Sequence, residues 1–161
     1  MKISNQLCEA MCVQIARENA NANFYLNAAG VFHMAGLEGF AKSNRAHSDE
    51  EIGHSRKLFD FVCERNGLGR IKEVPYMVVP ESSALAVYTA AYQKECETTK
   101  DINELYTMAV KENDYGAQEF LDWFAHEQVS EEREQWEVMQ QLTLIGDDKA
   151  ALVLYDKGLQ Q

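Results

Sequence analysis

The sequence predicts an all-α protein: a four-helix bundle with one long crossover and a short C-terminal helix. Three observations carry this prediction. The 161 residues include only 2 prolines and 9 glycines, too few for the frequent tight turns of a β-sandwich or barrel. Four long segments show the three- and four-residue apolar spacing of amphipathic helices. Both prolines, Pro75 and Pro80, fall in one long segment that separates the first two helical stretches from the last two.

The first two predicted helices form an antiparallel pair. Helix A runs from about Ser4 to His33, and the chain turns near Ala35 and Gly36. Helix B then continues to about Arg65. Because the joint between them is short, the two helices should lie side by side in opposite directions.

The second pair repeats this arrangement. Ser82 or Ser83 can cap helix C, which continues to about Glu112. The segment 113–116 (NDYG) has the composition of a turn and leads into helix D. Helices C and D are therefore also predicted to be antiparallel.

The connection between the two pairs is long enough to run the length of the bundle. About sixteen extended residues reach on the order of 50 Å, and a helix of nearly thirty residues is about 40 Å long. Helices B and C should then be parallel, which distinguishes this bundle from a simple up-down-up-down arrangement.

A brief amphipathic helix is predicted from Lys149 to Leu159, after a break and cap at 146–148. Its apolar residues Leu152, Val153 and Tyr155 need a surface to pack against. Residues 1–161 are predicted to form a single domain, with the bundle at about 4–142 and the tail helix at about 149–159.

Composition and charge narrow the function classes. The chain has 26 acidic and 15 basic residues and a formal net charge of −11, so nucleic acid and anionic membranes are not expected partners. The N-terminus has neither the basic start and apolar run of a signal peptide nor a membrane span. The four cysteines show no paired metal motif and resemble cytosolic thiols, which predicts a cytoplasmic protein.

Polar residues interrupt the apolar stripe of every predicted bundle helix. One misplaced glutamate is usually a boundary residue whose carboxylate reaches water. Four carboxylates that converge in a core would repel one another, and cations would relieve that repulsion. The inward-facing candidate ligands are Glu18 in helix A, Glu51 and His54 in helix B, Glu95 in helix C, and Gln128 and Glu131 in helix D; the same stripes also contain Asn44, His47, Thr99 and Gln135.

This set of side chains indicates the kind of cation. Carboxylates with one imidazole suit iron or manganese better than a metal that prefers thiolates. The spacing Glu51-x-x-His54 places both groups on one helix face, one turn apart. Glu51 can therefore bridge two ions while His54 binds one of them.

The sequence resembles the bacterial non-haem ferritins over nearly its whole length. The motifs that carry the resemblance are EEIGH at 50–54, Glu95 with INEL at 102–105, and FLDWFAHEQ at 120–128. The resemblance implies one iron site formed by Glu18, Glu51 and His54. It implies a second site formed by Glu51, Glu95 and Glu131, with Gln128 beside it, and Tyr25 matches the tyrosine of the family near the iron pair.

The family also implies a function. Two ferrous ions per chain would be oxidised by dioxygen or hydrogen peroxide, and ferric oxide would be stored inside a hollow shell of 24 copies. Two other functions are compatible with the same bundle. One is a non-storage di-iron oxidase or oxygenase that uses the same ligands beside a substrate pocket. The other is a metal-free helical interaction module in which the inward acids are boundary residues.

The chain departs from the family pattern in helix D. The segment 128–131 (QVSE) has no histidine, which points away from bacterioferritin and rubrerythrin-like proteins. Glu50 and Glu127 map onto a third iron site of some bacterial ferritins, but Ser130 stands where that site has a further glutamate, so a third ion should bind weakly or not at all. Taken alone, Glu50 and Glu127 fit a solvated helix face. The remaining histidines are interpreted as structural or surface residues: His33, His47 and His126.

Overall fold

A computed structural model describes residues 2–160 of the chain. Within that range the structure consists of five helices and no strands: α1 Asn5–Met34, α2 Glu38–Glu64, α3 Ala84–Lys111, α4 Tyr115–Ile145 and α5 Lys149–Gly158. The predicted four-helix bundle with a short C-terminal helix is confirmed. Among the helices of this part of the chain, none combines the length with the apolar character that crossing a bilayer requires.

Side-chain caps explain where the helices of the second pair begin. Ser83 accepts a hydrogen bond from the backbone N–H of Ala86 at 3.1 Å and starts α3. Asp114 accepts one from the N–H of Ala117 at 3.1 Å, so α4 already begins at Tyr115, inside the segment predicted as a turn. Helix α4 also runs three residues past Leu142, to the point where Gly146 adopts a positive φ of 55°.

The helices run in the predicted directions. At one end of α2, Asn44 donates a hydrogen bond to the hydroxyl of Tyr88 in α3 at 3.1 Å. At the other end, Arg65 donates to Asp114, just beyond the end of α3, at 2.7 Å. From the first contact to the second, the residue numbers increase along both helices, so α2 and α3 are parallel. The connection 66–83 therefore spans the length of the bundle.

Two apolar clusters fill the two ends of the bundle, and a polar layer lies between them. The Leu7 cluster consists of Ile3, Leu7, Met11, Ile15, Leu58, Val62, Ile102, Leu105, Ala109, Ala117, Leu121 and Phe124. The Phe40 cluster consists of Phe24, Tyr25, Ala28, Phe32, Phe40, Ala41, Val87, Tyr88, Ala91 and Leu142. This layering places the candidate site in the middle of the bundle, away from both ends.

The tail helix α5 docks at the start of α2. Leu37, the residue before α2, has an apolar side chain that cannot cap a helix, and the buried carboxylate of Asp156 accepts the N–H of Phe40 at 2.9 Å instead. A Cβ at Gly39 would stand 1.9 Å from the carbonyl oxygen of Asp156, so glycine permits this close approach. Tyr155 packs on the Phe40 cluster as expected.

Val153, another apolar residue of the tail helix, is more exposed than its neighbours on the Phe40 cluster. Leu152 also packs on the Phe40 cluster, but Val153 is 46% exposed. Adjacent helical residues point about 100° apart, and here Leu152 faces the cluster while Val153 turns towards solvent.

Candidate metal centre

Three of the predicted ligands meet in the polar layer. One ligand atom each from Glu18, Glu51 and His54 lies within 4.8 Å of the others, and all three side chains are buried. Helix α1 supplies Glu18 at its middle, and α2 supplies the other two residues one turn apart. The antiparallel pairing of these helices thus brings together residues that are more than thirty positions apart in the sequence.

Only some of the carboxylate oxygens in this group have hydrogen-bond partners within the described chain. The side-chain amide of Gln14 donates to Oε1 of Glu18 at 2.8 Å. The other oxygen, Oε2 of Glu18, is buried with no hydrogen-bond partner among residues 2–160. Oε2 of Glu51 is likewise without a hydrogen bond to any described residue, although Nδ1 of His54 lies 3.3 Å away. Buried oxygen atoms without donors are atoms that a cation can satisfy.

Burial and mutual repulsion raise the pKa values of the inward carboxyl groups. The pKa of Glu51 lies well above its ordinary value because the group is buried and faces the charges of Glu18 and Glu95. Burial, with the charges of Glu95 and Glu50, raises the pKa of Glu131 to about 8. Without a cation the polar layer therefore retains protons at neutral pH.

Glu95 lies beside the first group but is held by other side chains. Its pKa rises to about 7 because burial outweighs the hydrogen bonds that it accepts. The hydroxyl of Tyr25 donates to Oε1 of Glu95 at 2.5 Å, and Gln128 Nε2 donates to Oε2 at 3.4 Å. Burial and the nearby carboxylates raise the pKa of Tyr25 well above its ordinary value, so the tyrosine remains a hydrogen-bond donor.

A second group, of four residues, shares His54 with the first. Ligand atoms of Glu50, His54, Glu127 and Glu131 lie within 4.8 Å of one another. Glu50 is exposed and Glu127 is half-buried, whereas the other two are buried. The structure thus places Glu131 with the predicted third-site residues. Glu95, assigned with Glu131 to the second ion, belongs to neither group within the described chain.

Aromatic rings close one side of the centre. The imidazole of His54 packs edge to face against Trp123 and Phe124, with ring centroids 5.6 and 5.9 Å away. Lys57 lies over the Trp123 ring at 3.9 Å. These contacts fix the plane of the imidazole and keep water from that face.

Two residues near the centre have no ligand role in the sequence-based prediction. The ring of His47 packs on Tyr25 at a centroid distance of 5.2 Å. Gln135 is fully buried one turn after Glu131. Both lie at the inward stripe positions that the spacing predicts, His47 four residues before Glu51 and Gln135 four residues after Glu131, but a stripe position alone assigns no ligand role.

Comparison with known proteins agrees with this architecture. Residues 8–145 match the sequence model of the ferritin-like domain. The chain is 32% identical to a probable bacterial non-heme ferritin-like protein of Haemophilus influenzae, over 98% of this chain and 95% of that protein. It is also 32% identical to a bacterial non-heme ferritin of Staphylococcus aureus, with the same coverage.

Solved structures show the same similarity. An open pore ferritin from the archaeon Archaeoglobus fulgidus superposes with a TM-score of 0.95, at 39% identity over 98% of each chain. Chlorobium tepidum ferritin gives a TM-score of 0.87 at 31% identity, over 99% of this chain and 98% of the other.

The fold and the polar layer define the class of this protein: a long four-helix bundle with a centre of buried carboxylates and imidazole. The domain match and the full-length relatives fix the family. The chain belongs to the ferritin-like domain family.

Proposed function

We propose that the protein oxidises Fe(II) to Fe(III) at the centre of its bundle and stores the ferric product inside a shell of identical chains. The observation that carries this proposal is the buried group of Glu18, Glu51 and His54, in which each carboxylate keeps one oxygen without a hydrogen-bond partner among the described residues. A mixed carboxylate and imidazole donor set suits ferrous iron, which is here the substrate.

In this proposal each chain binds two ferrous ions. Glu18 and His54 bind the first ion, Glu51 bridges both, and Glu95 and Glu131 bind the second, with Gln128 beside it. The proximity of these residues supports the assignment, because the charges of Glu95 and Glu131 both act on Glu51. Each ion gives one electron to dioxygen or hydrogen peroxide, and Tyr25 orients the carboxylate of Glu95 through their hydrogen bond.

A weaker third ion would bind between Glu50 and Glu127. The grouping of these two carboxylates with His54 and Glu131 supports this assignment. The neutral side chain at Ser130 and the exposure of Glu50 argue for lower affinity than at the buried pair. A third ion there would serve later turnover, after the first two ions have been oxidised.

Assembly into a shell of 24 copies is part of the proposal. Large apolar side chains of the crossover are exposed on the isolated chain, including Tyr76 at 83% and Val78 at 73%. Such residues fit contacts between copies. The free thiols of all four cysteines, which lie within residues 2–160, support a cytoplasmic location.

Aerobic iron loading followed by size-exclusion chromatography tests this function. The purified protein should elute hundreds of kilodaltons above the 18.3 kDa chain and keep far more than two iron ions per chain after desalting. A small oligomer that retains about two ions per chain would instead identify a non-storage di-iron oxidase. Purified protein that binds no iron would instead support a metal-free helical interaction module.

A further inference from the structure

A cavity of about 540 Å³ opens between α2 and α4, next to the candidate metal centre. We call it the α2–α4 cavity; its lining includes the polar residues Ser43, His47, Glu134 and Gln135, and side chains of α3 and α5 also reach it. Glu50 and Glu131, members of the candidate centre, lie close enough to His47 to act on its charge. The cavity is therefore adjacent to the centre.

The imidazole of His47 is oriented in the way that metal-bound histidines are. Its Nδ1 lies 3.0 Å from the backbone carbonyl oxygen of Ser43, and a carbonyl can only accept, so Nδ1 carries the proton. Nε2 is buried with no hydrogen-bond partner among the described residues. Metal-ligating histidines usually donate the other ring N–H to a carbonyl in this manner.

A carboxylate faces this nitrogen and forms a long ion pair with the imidazole when the ring is protonated. Oε2 of Glu134 is 3.7 Å from Nε2 of His47, which is too long for a hydrogen bond. A single cation bonded to both atoms at about 2.1 Å would span this distance with a nitrogen–metal–oxygen angle of roughly 120°. The pair is thus spaced as two ligands of a single ion are.

Gln135 provides an independent observation at the same cavity. The residue is 0% exposed, and neither its Nε2 nor its Oε1 has a hydrogen-bond partner within residues 2–160. A buried amide that is left unpaired costs about 1–3 kcal/mol. A cation that accepts the Oε1 lone pair would remove the part of this cost that falls on the oxygen.

We propose that the α2–α4 cavity holds a separate binding site for a divalent first-row metal cation, formed by Nε2 of His47, the carboxylate of Glu134 and Oε1 of Gln135. One nitrogen and two oxygen donors suit Zn²⁺, Mn²⁺ and Fe²⁺ alike. Ferrous iron would occupy this site on its way between the surface and the centre. That transfer role rests on the proposed oxidation of iron, but binding of a cation does not.

Zinc titration in a chain that lacks the bridging carboxylate tests the site. In the Glu51→Ala background, calorimetry with Zn²⁺ on the assembled protein should show a site that Glu134→Gln weakens at least about 10-fold. Glu134 has a half-exposed side chain, so this variant should keep its fold. His47→Ala should have the same effect, whereas His33→Ala, at an exposed histidine of α1, should leave the isotherm unchanged.

Anomalous scattering at the zinc edge gives the position. A peak between His47 and Glu134 supports the proposal. Zinc peaks confined to the centre, with identical isotherms for Glu134→Gln and its parent, would overturn it and leave an ordered water as the partner of Gln135.

The transfer role has its own readout. With Glu51 intact, His47→Ala should raise the ferrous concentration that half-saturates oxidation and leave the maximal rate close to that of His33→Ala. If His47→Ala and His33→Ala reach half-saturation at the same ferrous concentration, the transfer role is rejected. If the native protein binds zinc at His47 but does not oxidise ferrous iron, the proposed function fails and the site stands. If it oxidises ferrous iron normally but binds no zinc at His47, the site fails and the proposed function stands.

Discussion

The ends of the bundle and its middle are built on opposite principles. At the ends, the Leu7 and Phe40 clusters bury apolar side chains completely, and each large side chain so buried contributes about 1.5–3 kcal/mol. In the middle, Glu18, Glu51, Glu95 and Glu131 are each at most 5% exposed. Buried carboxyl groups that face each other are costly unless they are protonated or bind cations. The ends therefore hold the bundle together, and the middle is arranged for ligands.

The largest expected effect follows from removing the bridging carboxylate. Glu51→Ala takes a ligand from each of the two proposed ions while it leaves a good helix former in α2. We expect the initial rate of ferrous oxidation to fall at least about 100-fold, which corresponds to roughly 3 kcal/mol of activation free energy. Stopped-flow absorbance after mixing with Fe²⁺ in air measures this rate.

The control for this variant is Glu64→Ala, the same substitution at an exposed position of α2. It should oxidise iron at the native rate. A native rate in Glu51→Ala as well would refute the role of Glu51 as the bridge, and far-ultraviolet circular dichroism shows whether both variants keep their helices.

Shortening one apolar side chain at an end of the bundle should give the opposite result: lower stability with oxidation retained. Leu121 is fully buried in the Leu7 cluster, so Leu121→Ala should lower the free energy of unfolding by about 2–5 kcal/mol through lost burial and a residual cavity. Urea denaturation of the metal-free protein measures this loss. Well below the midpoint of unfolding, the variant should still oxidise ferrous iron, because no ligand is altered; a loss comparable to that of Glu51→Ala would contradict the separation of ends from middle.

The pH dependence of stability sharpens the same contrast. The folded pKa values of Glu95 and Glu131, about 7 and about 8, lie above the ordinary glutamate value. The folded state thus binds more protons than the unfolded state between about pH 4.5 and pH 8, and its stability must fall as pH rises through that window. We expect the metal-free protein to lose several kcal/mol of stability between pH 5 and pH 8, and therefore to melt at least about 4–8 °C lower at pH 8.

Calorimetric melting of the metal-free protein at both pH values measures the effect, and Glu131→Gln is the matched variant. This substitution keeps the shape of the side chain but cannot ionise, so it should flatten the dependence on pH. Equal slopes for the native protein and Glu131→Gln would show that the carboxyl groups of the middle do not govern it.

Much of this architecture could be predicted from the sequence because it depends on local signals. The four apolar stripes and the capping serine at 82 or 83 each act within one helix, and few glycines or prolines interrupt the helices. The inward position of Glu51 and His54 follows from the same spacing. Both prolines fall in one long connection, and this was enough to derive the parallel direction of α2 and α3.

Contacts between distant segments could not be predicted in this way. Asp156 caps the start of α2 from the tail helix, and the glycine at 39 is required only because a backbone carbonyl approaches it. Likewise, the grouping of Glu127 with His54 depends on how far α4 is rotated against α2. A stripe tells which face of a helix points inward, but not which atoms meet there.

The smallest effect is expected at the edge of the middle layer. Glu127 is half-buried and shares its group with the exposed Glu50, and Ser130 adds no charge there, so an ion bound at this edge should be weak. Glu127→Ala should therefore change the initial oxidation rate by less than about two-fold and slow mainly the later turnovers. Stopped-flow kinetics with two and then with many ferrous ions per chain separate the two phases, and Glu119→Ala, at an exposed position of α4, is the control. An initial rate as low as that of Glu51→Ala would move Glu127 from the edge into the oxidation centre itself.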